Sequence, residues 1–453
     1  MEENNTTILL KTIASLLEGK KYTALREVLA TMNPADIAAL FEDLDEAMLP
    51  LIFRLLPKEL AAEAFVEMDA DLQEMLIQGF SDNELKEVLD ELYLDDAVDI
   101  VEEMPANVVK RILANTHPET RKMINEILKY PEDSAGSIMT IEYVSLLPDM
   151  TAEEAILRIR RTGFDKETIY TCYVMADDRV LVGIVTVKDL LLAADDALIA
   201  DIMDANPIFI HTWEDKEDVA NKFNKYDFLA MPVVDDEQRL IGIVTVDDAI
   251  DVLQDEATED IEKMAAISPS NDKPYLKTGV FELFRARIPW LLFLMISATF
   301  TGTILTRFED SLAVVPALIA FIPMLMDTGG NSGGQSSVTI IRSLSLGDVE
   351  FRDIFRVIWK EMRVGMICGV TLAAANFVKI LLIDRVAVPV ALVVCLTLVV
   401  TVFVAKLIGC TLPLFAKKLG FDPAVMSSPF ITTIVDAISL FVYLYIATAI
   451  LGL

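Results

Sequence analysis

Five apolar stretches follow one another through the last part of the chain, and they limit its fold more than any other feature. They run over approximately 288–306, 312–341, 363–383, 387–414 and 428–452. Each has about 20 residues or more, the length a helix needs to cross a bilayer. Lipid offers backbone groups no partners, so helices are the expected form. Residues 280–453 therefore read as an all-α transmembrane domain with five helices. Basic residues indicate its orientation. Arg285 and Arg287 precede the first stretch, and Arg342, Arg352, Arg356, Lys360 and Arg363 lie between the second and third. Lys417 and Lys418 lie between the fourth and fifth. With a cytoplasmic N-terminus all three groups fall on the cytoplasmic side, and five spans put the C-terminus outside.

Charge divides the chain at the same place. Residues 280–453 hold 13 Lys and Arg against 11 Asp and Glu, whereas residues 1–279 hold 25 against 59. Such an acidic front repels nucleic acid and draws cations. The start, MEENNTTILLKTIASLLEGKKY, lacks the basic head and long apolar run of a signal peptide, so the front part is expected in the cytoplasm. Cys172, Cys368, Cys395 and Cys410 form no CxxC pair, which argues against a disulfide framework or a zinc site.

Residues 1–130 read as an acidic, superhelical α-helical domain. In NPADIAALFEDLDEAMLPLIFRLLPKELAAEAFVEMD, apolar residues recur every three or four positions, with turns near Pro34, Pro57 and Asp69. Residues 137–254 carry an internal repeat, 137–199 and 200–254. RVLVGIVTVKDLLLA at 179–193 matches RLIGIVTVDDAIDV at 239–252; Gly183 and Gly242 are 59 residues apart, as are Thr186 and Thr245. Each unit opens on Ile-Met (Ile138–Met139, Ile202–Met203), then predicts a strand, an amphipathic helix, two strands joined by an acidic turn, and a helix. This α/β pair closely resembles tandem cystathionine-β-synthase-type (CBS) domains. Many such pairs bind adenine nucleotides between the repeats; others only dimerise. An acid-rich connecting helix is expected over 255–279.

The spans contain few acids. Asp436 stands in SSPFITTIVDAISLFVYLYIATAILGL, flanked by Thr432, Thr433 and Ser439. A carboxylate at that depth is costly unless it is paired, protonated or in a water-filled path. Either Lys406 of the fourth span neutralises it, or it lines a cation path. Asp327 opens a second unusual stretch, MDTGGNSGGQSS at 326–337, with four glycines, Asn331 and Gln335. Here too there are two readings. Non-helical backbone could free carbonyls which, with the amide oxygens, suit a hard cation. Alternatively the glycines make a close helix–helix contact.

The order of parts, TGGNSGGQS and SSPFITTIVDAISLFVYLYIA together resemble the MgtE family of magnesium channels and transporters, over essentially the whole chain. The resemblance implies a multi-pass homodimer, surrounded by lipid in the cytoplasmic (inner) membrane, with one Mg²⁺-selective pore. Asp436 of both subunits, with Gly329, Gly330, Asn331 and Gln335, would meet the hydrated ion. Mg²⁺ gives up its waters reluctantly, so one or two carboxylates acting on a hydrated ion suit it. The resemblance also implies gating by cytoplasmic Mg²⁺ bound among Glu63, Asp95, Asp99, Asp215, Asp227, Asp248, Asp251, Glu256, Glu259, Asp260 and Asp422. It further implies ATP at the CBS pair, where Tyr170, Lys188, Asp189, Asn206, Pro207 and Phe228 occupy comparable positions.

Neither catalysis nor a nucleic-acid partner is expected. A CBS-regulated anion channel is the first alternative, opposed by the unpaired acids and the lack of basic filter residues. A membrane-embedded enzyme is the second. Against it, the sequence holds no HExxH and no close pair of intramembrane aspartates.

Overall fold

The computed structural model describes residues 12–17, 19–269, 275–426 and 428–452. Its contacts fall into two compact units, Met1–Leu253 and Gln254–Leu453.

The first unit begins with short helices, nine of them between Tyr22 and Ile127 among the described residues. Turn chemistry keeps them short. Asn33 caps Pro34–Glu42 by accepting from Ala35 N at 3.1 Å, and Ser81 and Glu84 form a reciprocal capping box on Asp82–Leu89. Pro34–Glu42 packs on Lys58–Val66, Lys58–Val66 on Asp82–Leu89, and Asp82–Leu89 on Ala106–Asn115. This skipping contact winds the chain into a superhelix. Phenylalanines fill its interior: the Phe53 ring lies 5.1 Å from Phe80 and 6.1 Å from Phe65. One helix, α1 (Leu94–Glu103), has two unlike faces. Leu94, Ala97, Val98, Ile100 and Val101 are buried in the core, while Asp95, Asp96, Asp99, Glu102 and Glu103 share the other face.

The two repeats fold alike. The first comprises β1 (Val144–Leu146), α2 (Ala152–Thr162), β2 (Thr171–Met175), β3 (Leu181–Thr186) and α3 (Val187–Leu192). The second comprises β4 (Ile210–His211), α4 (Lys216–Tyr226), β5 (Ala230–Val234), β6 (Leu240–Thr245) and α5 (Val246–Met264). Each sheet has one parallel and one antiparallel pair. The segments leading into the repeats are exchanged. Thr140 and Ile243 trade backbone hydrogen bonds of 2.8 Å on the second sheet, and Ile184 and Asp204 trade bonds of 3.1 and 2.8 Å on the first. This crossing explains both repeated signatures. A Cβ on Gly183 would stand 2.6 Å from Met203 Sδ, and one on Gly242 would stand 2.6 Å from Thr140 O. Only glycine lets the Ile-Met segment of the other repeat lie across each sheet.

The second unit is built from α6 (Val280–Arg307), α7 (Ile322–Ser345), α8 (Ile354–Lys379), α9 (Val388–Lys418) and α10 (Ser428–Leu451). Among the described residues, four helical stretches are long and apolar enough to cross a membrane: Val280–Arg307, Phe351–Asp384, Val388–Lys418 and Pro423–Leu451. The second expected span, 312–341, differs. It breaks into Glu309–Val314, a 3₁₀ segment Pro316–Phe321 and then α7. At 1.5 Å per residue α7 is about 36 Å long, but Gly, Ser, Thr, Asn and Gln make it too polar to count on composition alone. It packs instead against α9 and α10. Among the described residues, the connecting segment is helical in its first part only. α5 ends at Met264, the backbone turns at Ala266 (φ 56°), and residues 270–274 lie outside the described residues.

Candidate functional site

The glycine-rich stretch is continuous α-helix, so the reading of freed carbonyls does not hold there. Its glycines let helices meet closely. A Cβ on Gly329 would lie 2.7 Å from Thr401 Cγ2 and 3.1 Å from Ser439 Oγ; one on Gly330 would lie 2.7 Å from Thr432 Cγ2. One on Gly333 would lie 2.8 Å from Ile431 Cγ2, and one on Gly409 would fall on the Gly333 carbonyl. Thr432 and Ser439 stand four residues before and three after Asp436, on its side of α10. Asp436 thus lies on the helix face that meets Gly329 and Gly330. Its Oδ1 is buried without a hydrogen-bond partner among the described residues, as is Thr401 Oγ1. The charge of Asp327, one turn before Gly330 and Asn331, bears on it. Asn331 and Gln335 are exposed on α7.

Lys406 does not neutralise Asp436. Its Nζ stands 3.8 Å from Glu361 Oε2 and donates to Ser336 Oγ at 3.3 Å. Gly365 on α8 lies against the Lys406 stem, and Glu361 stands one turn away on the same helix, within reach of the lysine head.

The predicted regulatory acids separate into groups. Asp95, Asp99 and Asp248 belong to one acidic wall in the first unit, which also includes Asp96, Glu142, Glu167 and Asp247. Burial first, and then repulsion from Asp248, raises Asp96 and Asp99 to about 7, although Asp99 stays largely open to solvent. Burial and then Asp96 and Asp247 raise Glu167 to about 8. Asp248 rises to about 6, again through burial, against the hydrogen bond it accepts from Thr245. Asp95, 7% exposed, is raised well above the carboxylate range by burial and then Asp248. Asp251 is raised by partial burial and Asp247. Glu63 bears on Tyr93, just before α1. The acids 96, 142, 167 and 247 escaped sequence reasoning because only the fold brings α1 against the repeats. Among the described residues no three such side chains converge closely enough to hold a bare ion.

Asp215 and Asp227 bracket α4: Asp215 caps it by accepting from Glu217 N at 2.9 Å, and Asp227 ends it in the left-handed region (φ 56°). Glu256, Glu259 and Asp260 lie on α5. Here the structure adds a residue that sequence reading passed over. Lys263 Nζ bridges Glu259 at 2.6 Å and Asp422 at 2.7 Å, and those acids hold its pKa above the usual lysine range despite its partial burial. Asp260 beside them is raised by burial and Asp422.

Of the nucleotide set, Tyr170 is 65% exposed and Lys188 is exposed at the start of α3. Phe228 stacks on Tyr226 with centroids 5.8 Å apart. Asn206 N donates to Asp204 at 3.0 Å, and the adjoining Pro207 is half-buried. Asp189 is engaged as the capping partner of Thr186 at 2.5 Å.

A superhelical and CBS-paired front, followed by membrane-length helices and a buried Asp436 oxygen without a hydrogen-bond partner among the described residues, has the build of a multi-pass membrane protein. Comparison with known proteins narrows the class. Residues 322–446 match a family profile described as "Divalent cation transporter", residues 32–133 the "MgtE intracellular N domain", and residues 135–196 and 199–255 the CBS domain. The chain is 40% identical over 433 residues to magnesium transporter MgtE of Thermus thermophilus, covering 94% of this chain and 95% of that one. It is 31% identical over 444 residues to magnesium transporter MgtE of Bacillus subtilis, covering 96% of each. The chain belongs to the MgtE family. A solved structure of the cytosolic domain of the Mg²⁺ channel MgtE in complex with ATP is 36% identical, with TM-score 0.51, covering 54% of this chain and 99% of that one. A second, of the soluble part of a magnesium transporter, is 32% identical, with TM-score 0.53, covering 56% and 99%. Membership in a divalent cation transporter family displaces the anion-channel alternative.

Proposed function

We propose that this chain moves Mg²⁺ across the cytoplasmic membrane as a homodimer, along a path past Asp436, and that its acidic front senses cytoplasmic Mg²⁺. The observation that carries the reading is the buried Asp436 oxygen without a hydrogen-bond partner among the described residues, in a chain of a divalent cation transporter family. The passing ion supplies the missing counter-charge. Two copies of Asp436 would face one hydrated ion, held through its water shell. The partnerless Thr401 hydroxyl and the Asn331 and Gln335 amides are suited to hydrogen-bond that shell. The span's own basic group, Lys406, already has Glu361 as counter-ion and leaves Asp436 free for a cation.

The front unit acts as the sensor. The wall around Asp95, Asp96, Asp99, Asp248 and Glu167 resists being assembled with all its charges. A hydrated divalent cation relieves that repulsion and favours the compact arrangement. The acids Glu63, Asp215, Asp227, Asp251, Glu256, Glu259, Asp260 and Asp422 extend this response. ATP is proposed as a ligand of the CBS pair, at Tyr170, Lys188, Asp189, Asn206, Pro207 and Phe228; support comes from the ATP complex of the 36% identical cytosolic domain. The front is cytoplasmic, the C-terminus is outside, and the chain transports rather than catalyses.

The test is Mg²⁺ uptake into proteoliposomes, read by an internal Mg²⁺-sensitive dye. Asp436→Asn should abolish uptake while the protein still elutes as a dimer. Full uptake in that variant overturns the assignment.

A further inference from the structure

Buried charge inside a membrane domain is rarely kept without a use. Lys406 is 5% exposed, and its neighbours Glu361 and Ser336 come from two other helices. Ser336, 2% exposed on α7, accepts from Lys406 Nζ of α9 and donates to Glu361 Oε2 of α8 at 2.5 Å. One hydroxyl therefore ties three helices to one ion pair. The adjacent Ser337, fully buried, donates in turn to Met426 O just ahead of α10, at 2.9 Å. Lys417 Nζ donates to Leu344 O on the last turn of α7, at 3.0 Å.

These polar ties lie beside the glycine surface of α7, between the buried apolar residues Ile322 and Leu325 on one side and Ile340, Ile341 and Leu344 on the other. Along Gly329, Gly330 and Gly333, α7 presents backbone to α9 and α10. A glycine surface allows close approach, and Thr401, Thr432 and Ile431 of the facing helices seat on it. Ser336 stands three residues beyond Gly333, between the glycine surface and the buried Ile340 and Leu344.

We propose that the Lys406–Glu361 pair, acting through Ser336, locks the axial register of α7. It thereby positions Gly329, Gly330 and Asn331 opposite Asp436 for cation passage. The three are positioning residues and touch no ion. The inference rests on the reading of Asp436 as the path-lining acid.

The experiment compares Ser336→Ala, Lys406→Met, Glu361→Gln, the Lys406→Met/Glu361→Gln double variant and Asp436→Asn in proteoliposomes. It records Mg²⁺ uptake per dimer, the ratio of Mg²⁺ to Ca²⁺ uptake, and thermal unfolding. Each single charge variant strands a buried charge and should fold poorly. The double variant and Ser336→Ala should unfold close to the wild type. They should nevertheless lose Mg²⁺ uptake about tenfold, on the order of what misplacing a positioned group costs, and admit relatively more Ca²⁺. Wild-type uptake and selectivity in both, with Asp436→Asn silent, would reduce the pair to charge neutralisation and overturn the register lock alone. Full uptake in Asp436→Asn would instead overturn the path assignment and this inference with it.

Discussion

Gly409→Ala is the sharpest test of how the membrane unit packs. A methyl group there would fall on the carbonyl of Gly333 in the facing helix and come within 3.2 Å of its Cα. Backbone cannot rotate away, so α7 and α9 must part by most of an ångström. Gly302 on α6 offers the matched control, because a Cβ there meets nothing within 4 Å. Both substitutions gain the same helix propensity, about 1 kcal/mol for Ala over Gly. Their difference in stability therefore isolates the steric cost, about 1–3 kcal/mol for overpacking a fitted contact. Displacing α7 also shifts Gly329 and Gly330 relative to Thr432 and Ser439, so Mg²⁺ uptake should fall with stability. The assay is chemical unfolding of the purified protein in detergent, paired with proteoliposome uptake. Gly302→Ala should be neutral or stabilising with full uptake. Equal stability and uptake in the two variants would refute the close-packed arrangement of α7 and α9.

Two further outcomes follow from the front unit. Tyr173 is fully buried and its hydroxyl has no hydrogen-bond partner among the described residues, so Tyr173→Phe should leave stability unchanged or raise it by about 1 kcal/mol; a loss of that size in a thermal melt would mean the hydroxyl is satisfied. The acidic wall predicts a pH dependence: Asp248, Asp96 and Glu167 sit at about 6, 7 and 8, above the ordinary carboxylate range. Between their unfolded and folded values the folded state holds more protons, so stability should fall as pH rises from about 4 to about 8. Mg²⁺ replaces those protons, so it should raise the melting temperature more at pH 8 than at pH 5.5; equal shifts, or shifts indifferent to Asp248→Asn, would contradict the sensor reading.

The sequence made the architecture readable where chemistry repeats. Helix caps, the duplicated GIVT strands and the long apolar runs each carry their period in plain view. What it hid were relations between distant segments. The run MDTGGNSGGQSS allows either broken backbone, since glycine disfavours helices, or a close helix–helix contact; tertiary packing against Thr401, Ile431 and Thr432 makes it continuous helix. Lys406 looked available to Asp436 because sequence does not give the rotation of one helix against another. Lys263 escaped notice amid its acids, since a lysine in an acid-rich helix is usually solvated, whereas here it bridges Glu259 and Asp422. Asp96, Glu142, Glu167 and Asp247 join the wall only once α1 is folded against the repeats.

The two CBS repeats show how one fold can carry two opposite charge chemistries. Thr186 with Asp189, and Thr245 with Asp248, are matching pairs at the two helix starts, 59 residues apart, each with a hydroxyl–carboxylate contact of 2.5 Å. Burial separates the two aspartates. Asp248 is enclosed beside α1 and raised to about 6, whereas Asp189 is exposed. The preceding residue sharpens the contrast: Lys188 in the first repeat, Asp247 in the second. A cap must keep its carboxylate to hold the helix start, so neither aspartate can be discarded without cost to the fold. The neighbouring position carries no such duty and is free to set the sign of the local field. On the proposed reading, Lys188 of the first repeat faces the phosphates of a bound nucleotide. In the second the field adds to the acids of α1, and the cap itself becomes part of a surface that favours a divalent cation. On the proposed reading, cation sensing needed no new structural element, only a change of charge beside a carboxylate that the fold already required.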